Sequence, residues 1–152
     1  MCVSLTIFGA SGDLTTRKLI PSLFWLRMKK RLPKHFFIIG ISRTKFSDEE
    51  WREQLRESTK EFLGDSFDQK AWDVFAPLLS YIPGDMKDPG TFERLDEFLN
   101  HKERTHIALE HGFLDEKTLQ ERETRPTRVY YLSTAPRFYS LAADQLEASG
   151  MA

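Results

Sequence analysis

The sequence predicts an α/β fold built on a doubly wound parallel sheet. Apolar, strand-like runs alternate along it with longer amphipathic runs. One of the strand-like runs, Phe36-Phe37-Ile38-Ile39-Gly40-Ile41, is apolar throughout, as a strand covered on both faces must be. Another, Val3-Ser4-Leu5-Thr6-Ile7-Phe8, leads straight into Gly9-Ala10-Ser11-Gly12 and then into a helix-like run through Trp25 and Leu26. Strand, glycine turn and helix near the N-terminus form the layout of a nucleotide-binding first βα unit. There, small residues let the backbone approach a pyrophosphate, and the helix N-terminus offers it free N–H groups and partial positive charge.

The elements follow in order. The first helix is expected from about Gly12 to Lys30, with Leu19, Leu23 and Leu26 on one face. Pro21 lies inside it, where its missing N–H should kink the helix or tighten the preceding turn. After the second strand, Ser47 and Glu50 form a capping box, and Phe46 is placed to staple onto Trp51. Trp51, Leu55, Ser58 and Phe62 then share a face up to Gly64. Leu78-Leu79-Ser80-Tyr81-Ile82 reads as a third strand, ended by Pro83-Gly84. Asp88 caps the next helix, with Pro89 at a tolerated first position and Phe92, Leu95 and Leu99 facing inward. His101 to Thr127 is dense in charge and reads as a solvated excursion, with one short helix near Asp115 to Glu121. Arg128-Val129-Tyr130-Tyr131-Leu132-Ser133 is the fourth strand, and a helix from about Pro136 to Gly150 follows. The result is a Rossmann-type sheet of about four βα units. Such folds usually carry six strands in the order 3-2-1-4-5-6, so an incomplete, truncated domain is expected.

Length and composition narrow the function. The chain has 152 residues, enough for one domain with a real core. A net charge of −1 offers no bulk attraction for nucleic acid or an anionic membrane. No apolar stretch reaches the ~18 residues that span a bilayer, and no signal-peptide pattern opens the chain. The single cysteine, Cys2, rules out an intrachain disulfide and a cysteine-rich zinc site. These features fit the cytoplasm.

Chemistry points to the glycine turn and the loop after the second strand. The turn reads G-x-x-G-x-x-T, with Ser11 at the usual middle glycine and Thr15 at the third. Its position after the first strand favours phosphate binding over a plain turn. The second strand ends Gly40-Ile41-Ser42-Arg43-Thr44-Lys45, with no carboxylate before Asp48. An NAD site would place an acid there for the ribose 2′-hydroxyl. The Arg43 guanidinium suits a 2′-phosphate instead, and this points to NADP. His101, His106 and His111 recur every five residues, about 140° apart on a helix, and make no metal site. Neither a P-loop nor a G-x-S-x-G elbow is present. Tyr130, Tyr131 and Phe138 are expected in the core, whereas position alone leaves Tyr139 open between cofactor and surface.

These residues bring a family into view. Gly9-Ala10-Ser11-Gly12-Asp13-Leu14-Thr15, with Arg17-Lys18 and Pro21, resembles the opening of glucose-6-phosphate dehydrogenases. Ile39-Gly40-Ile41-Ser42-Arg43, Gly84-Asp85-Met86, and Tyr130-Tyr131-Leu132-Ser133 leading to Pro136 and Tyr139 agree in order. The resemblance implies NADP-dependent oxidation of glucose 6-phosphate at C1 to 6-phosphogluconolactone, in the oxidative pentose phosphate pathway, by a homo-oligomer. It implies that Gly9, Ala10, Ser11, Gly12, Asp13, Leu14, Thr15 and Thr16 wrap the pyrophosphate and that Arg43 holds the 2′-phosphate. Asp85 and Met86 would lie along the adenosine, Tyr139 would line the cofactor, and Lys18 would point toward the junction with substrate.

The family continues with a Glu-Lys-Pro segment and an Arg-x-Asp-His-Tyr stretch that carries the general base, and neither occurs here. The expectation is therefore an NADP-binding domain over residues 1–152 without the substrate and dimerisation domain, inactive by itself and with no catalytic residue of its own. The alternative is a non-enzymatic NADP-binding regulatory or interaction module. An epimerase or short-chain reductase would need Tyr-x-x-x-Lys, which is absent.

Overall fold

Four apolar segments pair side by side, all parallel, in the order β3-β2-β1-β4. The strands are β1 (Cys2–Phe8), β2 (His35–Ser42), β3 (Leu79–Pro83) and β4 (Thr127–Leu132). The computed structural model describes residues 2–111, 126–133 and 139–149. The sheet steps outward from β1 to β2 and β3, then returns to place β4 on the other side of β1. That reversal is the switch point at which open α/β sheets form ligand crevices beyond the carboxyl ends of their strands.

Alternation along the strands divides the core into two layers. Leu5, Ile7, Phe36, Ile38, Leu79 and Tyr81 face helices α1 (Ile20–Met28), α2 (Asp48–Leu63) and α3 (Gln69–Phe75). Phe8, Ile39 and Ile41 face α4 (Pro89–His111) through Phe92, Leu95 and Leu99, and α5 (Tyr139–Ala148) through Leu146. The capping box at Ser47 forms as expected: Glu50 N–H donates to Ser47 Oγ and Ser47 N–H to Glu50 Oε1, each at 3.1 Å. Among the described residues, no helix is long and apolar enough to cross a membrane.

Of the two expected effects of Pro21, a kink or a tightened preceding turn, the tightening does not occur. The helical stretch before it widens into a π-helical turn over Thr15–Leu19, closed by the Ile20 N–H on the Thr15 carbonyl. In that pattern the Thr16 carbonyl should receive its bond from residue 21, which is a proline and has no N–H. Ser58 of α2 supplies the missing donor, its hydroxyl lying 2.7 Å from Thr16 O. The proline therefore sets a cross-helix bond and fixes how the glycine turn sits against α2. Ser58→Ala is expected to destabilise the fold by about 1–2 kcal/mol, the range for stranding one part-buried acceptor. Urea titration measures it, and an unchanged midpoint would mean that water replaces the hydroxyl.

Other expectations need correction. The buried face of α2 runs Trp51, Leu55, Thr59, while Phe62, next to the C-terminal end of the helix, is 56% exposed. Phe46 and Trp51 both set their rings against Tyr81, at 5.5 and 5.4 Å between centroids. Helix α3 is an addition, capped by Asp68 and held by Trp72 and Phe75 against Phe24. The charged stretch from His101 does not leave the fold at once, since α4 continues through His111. Its anchor is Arg128 of β4, which donates to Glu103, Asp96 and Asn100 on that helix. Tyr131 is not core: with Val129 it points away from α4 on the edge strand, at 38% and 45% exposed. The expected helix at 115–121, Phe138 and the stop at Gly150 lie outside the described residues.

Candidate functional site

Gly9 ends β1 with φ at 83°, a left-handed conformation that favours glycine and turns the chain sharply. The Gly9 and Ala10 N–H groups both donate to the Ile41 carbonyl, at 2.9 and 3.1 Å, so the turn is stitched to the end of β2. Thr16 N–H makes the first intrahelical bond, to Gly12 O at 3.1 Å. The N–H groups of Asp13, Leu14 and Thr15 therefore precede the helix's own carbonyl partners. They provide the partial positive charge that a pyrophosphate requires.

A cleft of about 440 Å³ opens over the carboxyl ends of β1, β2 and β3. It is bounded by Gly9 and Ser11 of the turn, Ile41 to Thr44 after β2, and Gly84 to Lys87 after β3. Its volume falls within the range of small-ligand sites. The β2 and β3 rims are tied together where the Gly84 N–H donates to Ser42 O at 2.8 Å. Asp85 closes its own turn, accepting from Lys87 N–H at 2.9 Å on its carboxylate. The Asp85 carbonyl accepts the Thr91 hydroxyl at 2.8 Å.

A chain of hydroxyls underlies the rim that bears Arg43. Ser42 Oγ donates to Ser11 Oγ at 2.8 Å, lies 2.7 Å from Tyr81 Oη, and accepts the Thr44 N–H at 3.1 Å. Tyr81 also directs its hydroxyl at the carbonyls of Ser42 and Thr44. Burial raises the Tyr81 pKa and the Ser42 hydrogen bond opposes that in part, so the phenol stays a protonated donor across the physiological range.

The expected site residues divide into groups. Gly9, Ser11, Arg43, Asp85 and Met86 meet in the cleft. Ala10 is buried beneath the turn. Gly12, Asp13, Leu14, Thr15 and Thr16 form the helix start beside it, with Asp13 3.9 Å from Arg17 in an exposed pair. Arg43 is exposed and makes no ion pair or hydrogen bond among the described residues. Lys18 is exposed within the π-helical turn, and Tyr139 is exposed at the start of α5. Neither lines the cleft. Lys87 does, and sequence reasoning passed over it although it directly follows Gly84-Asp85-Met86. Two cations, Arg43 and Lys87, and a helix start around one cleft suit an anionic nucleotide.

Comparison with known proteins agrees with this geometry. The family described as glucose-6-phosphate dehydrogenase, NAD binding domain, matches residues 6–152. The glucose-6-phosphate 1-dehydrogenase of Leuconostoc mesenteroides is 32% identical over 147 residues, which are 97% of this chain and 26% of the relative. That of Bacillus subtilis is 31% identical over 147 residues with the same coverage, 97% and 26%. A solved glucose-6-phosphate dehydrogenase in complex with its substrate glucose-6-phosphate superposes with a TM-score of 0.77 at 26% identity, over 97% of this chain and 27% of that one. The Mycobacterium avium enzyme superposes at 0.74 with 25% identity, over 99% and 28%. The chain thus spans about a quarter of the length of the relatives it matches. By its family match, its sequence relatives and the parallel sheet it shares with them, it belongs to the glucose-6-phosphate dehydrogenase NAD-binding domain family.

Proposed function

We propose that this chain is the NADP-binding part of a glucose-6-phosphate 1-dehydrogenase. The observation that carries the reading is Arg43, a guanidinium without a partner among the described residues, on the rim of a cleft at the carboxyl ends of β1 to β3, where an NAD site would hold an acid. The residues fit the cofactor. The Gly9–Gly12 turn and the exposed start of the helix at Asp13 and Leu14, with Thr15 buried beneath it, receive the pyrophosphate, Asp85 and Met86 flank the adenosine, and Arg43 takes the 2′-phosphate. When bound, NADP supplies the hydride acceptor for oxidation of glucose 6-phosphate at C1. This chain's part is to bind and orient it, so that transfer occurs in a near-attack geometry. Tyr139 and Lys18 lie outside the cleft and are assigned to the nicotinamide side. General-base catalysis, substrate binding and homo-oligomer formation are assigned to segments of the enzyme beyond those spanned here, so these 152 residues do not turn over by themselves. A cytosolic setting follows from the reaction and suits a sequence whose single cysteine, Cys2, is buried.

Titrating NADP and NAD against the wild-type chain and Arg43→Asp tests the reading. Wild type is expected to prefer NADP. The substitution should weaken NADP by about 1.5–3 kcal/mol, the worth of a charge-assisted contact, and leave NAD nearly unchanged. Equal losses for both cofactors would remove the 2′-phosphate from Arg43.

A further inference from the structure

Among the described residues Arg43 has no hydrogen-bond or ion-pair partner, so the direction of its side chain depends on the backbone that carries it. That backbone is fixed at both neighbours. The Tyr81 hydroxyl addresses the carbonyl of Ser42 on one side of Arg43 and the carbonyl of Thr44 on the other. The Ser42 side chain, itself 2.7 Å from Tyr81 Oη, accepts the Thr44 N–H. Tyr81 is well placed to act as a fixed post. Its side chain is buried, wedged between the rings of Phe46 and Trp51, and its backbone N–H donates to Asp48 Oδ1 at 2.7 Å. The same network reaches Ser11 in the glycine turn through Ser42 and Thr44.

We propose that Tyr81 is a positioning residue for cofactor choice: its hydroxyl fixes the peptide groups on either side of Arg43 and thereby aims the guanidinium at the 2′-phosphate of NADP. The proposal rests on the reading of Arg43 given above. It makes a selective claim. NAD offers Arg43 only a neutral 2′-hydroxyl where NADP offers a charged phosphate, so loosening the 42–44 backbone removes more binding energy from NADP than from NAD. A tyrosine that only supported the cleft would affect both cofactors alike.

The experiment is a calorimetric titration of NADP and of NAD against wild type, Tyr81→Phe, Arg43→Ala and the double variant. Tyr81→Phe keeps the ring and removes the hydroxyl. It is expected to raise the Kd for NADP about three- to tenfold, the value of one hydrogen bond, while the Kd for NAD moves less than about twofold. On the Arg43→Ala background it should cause no further loss, because the group being aimed is gone. Circular dichroism melts check folding. If Tyr81→Phe does not fold, Ser42→Ala removes the oxygen that Tyr81 and the Thr44 N–H share, and carries the same test with the same expected split. Equal weakening of both cofactors, no weakening of either, or an additive loss in the double variant would overturn the proposal while leaving Arg43's role intact. An Arg43→Ala chain that still prefers NADP would overturn the reading beneath it, and the proposal with it.

Discussion

Trp51→Ala should lower the free energy of unfolding by about 3–5 kcal/mol, the range for truncating a buried aromatic. The indole is fully buried and lies under the backbone of β2. A β-carbon at Gly40 would come within 2.5 Å of its ring and 2.8 Å of Ala10 Cβ. Glycine at 40 and tryptophan at 51 are thus one packing solution, and it supports both the glycine turn and Tyr81. One feature works against the full loss. Trp51 Nε1 is buried without a hydrogen-bond partner among the described residues, so the substitution also removes an unsatisfied donor. The effect is therefore expected near the lower end of the range, and smaller for Trp51→Phe, which keeps a ring and drops the N–H. Urea denaturation followed by circular dichroism gives the number. A loss below about 1 kcal/mol would show that the layer collapses into the cavity at little cost.

Arg128→Ala should cost about 2–4 kcal/mol. Breaking a buried ion pair by removing one partner costs about 3–5 kcal/mol, reduced here because the guanidinium keeps some contact with solvent. The arginine sits on β4 and bonds bidentately to Glu103 at 3.0 and 2.7 Å, with Asp96 at 3.1 Å and Asn100 at 2.9 Å. Glu103 is only 5% exposed, so losing the arginine strands a carboxylate inside the protein. That explains the size of the effect and supplies a control, since Arg128→Ala combined with Glu103→Ala should recover part of the loss. Additive losses would mean that the carboxylate is not the source. The Glu103 hydrogen bonds raise the Arg128 pKa above the ordinary arginine range. Its contribution is therefore complete at every pH below that range and fades only as pH rises through the raised value. The stability difference between wild type and variant should accordingly stay flat across neutral and mildly alkaline pH.

The sequence made the sheet legible because each strand is a short apolar run bounded by turn residues, and the order of runs allows few parallel topologies. Asp88-Pro89 and Ser47…Glu50 mark their helix starts by local chemistry, and both form. Tertiary context decided the rest. Nothing local says that Ser58 will reach the Thr16 carbonyl across 42 positions, so the widening before Pro21 could not be read. Helix α3 is only seven residues long, too short to show periodicity, although Asp68 caps it and Trp72 and Phe75 share its face. The end of α4 is rich in charge, and that charge masks the one carboxylate that Arg128 draws inside. In the cleft, Arg43 could be named from the missing acid. The role of Tyr81 could not, because the strand pattern shows only an aromatic in a buried position.

The return of the chain to β4 has a consequence in chain entropy. Phe8 meets Ile41 across the first crossover, but meets Leu132 only after a stretch nearly four times as long. Each doubling of a closed loop adds roughly 0.6 kcal/mol, so seating β4 costs about 1 kcal/mol more than seating β2. Among the described residues β4 pairs only with β1, and two of its side chains look outward into solvent. It is the most weakly enclosed strand of the sheet, and the Arg128 cluster works against that deficit. Among the described residues the cleft is lined between Gly9 and Lys87, and none of that lining belongs to β4. Loosening of the last strand therefore leaves the adenosine side of the site standing, and the capacity to hold a nucleotide resides in the shorter-range half of the fold.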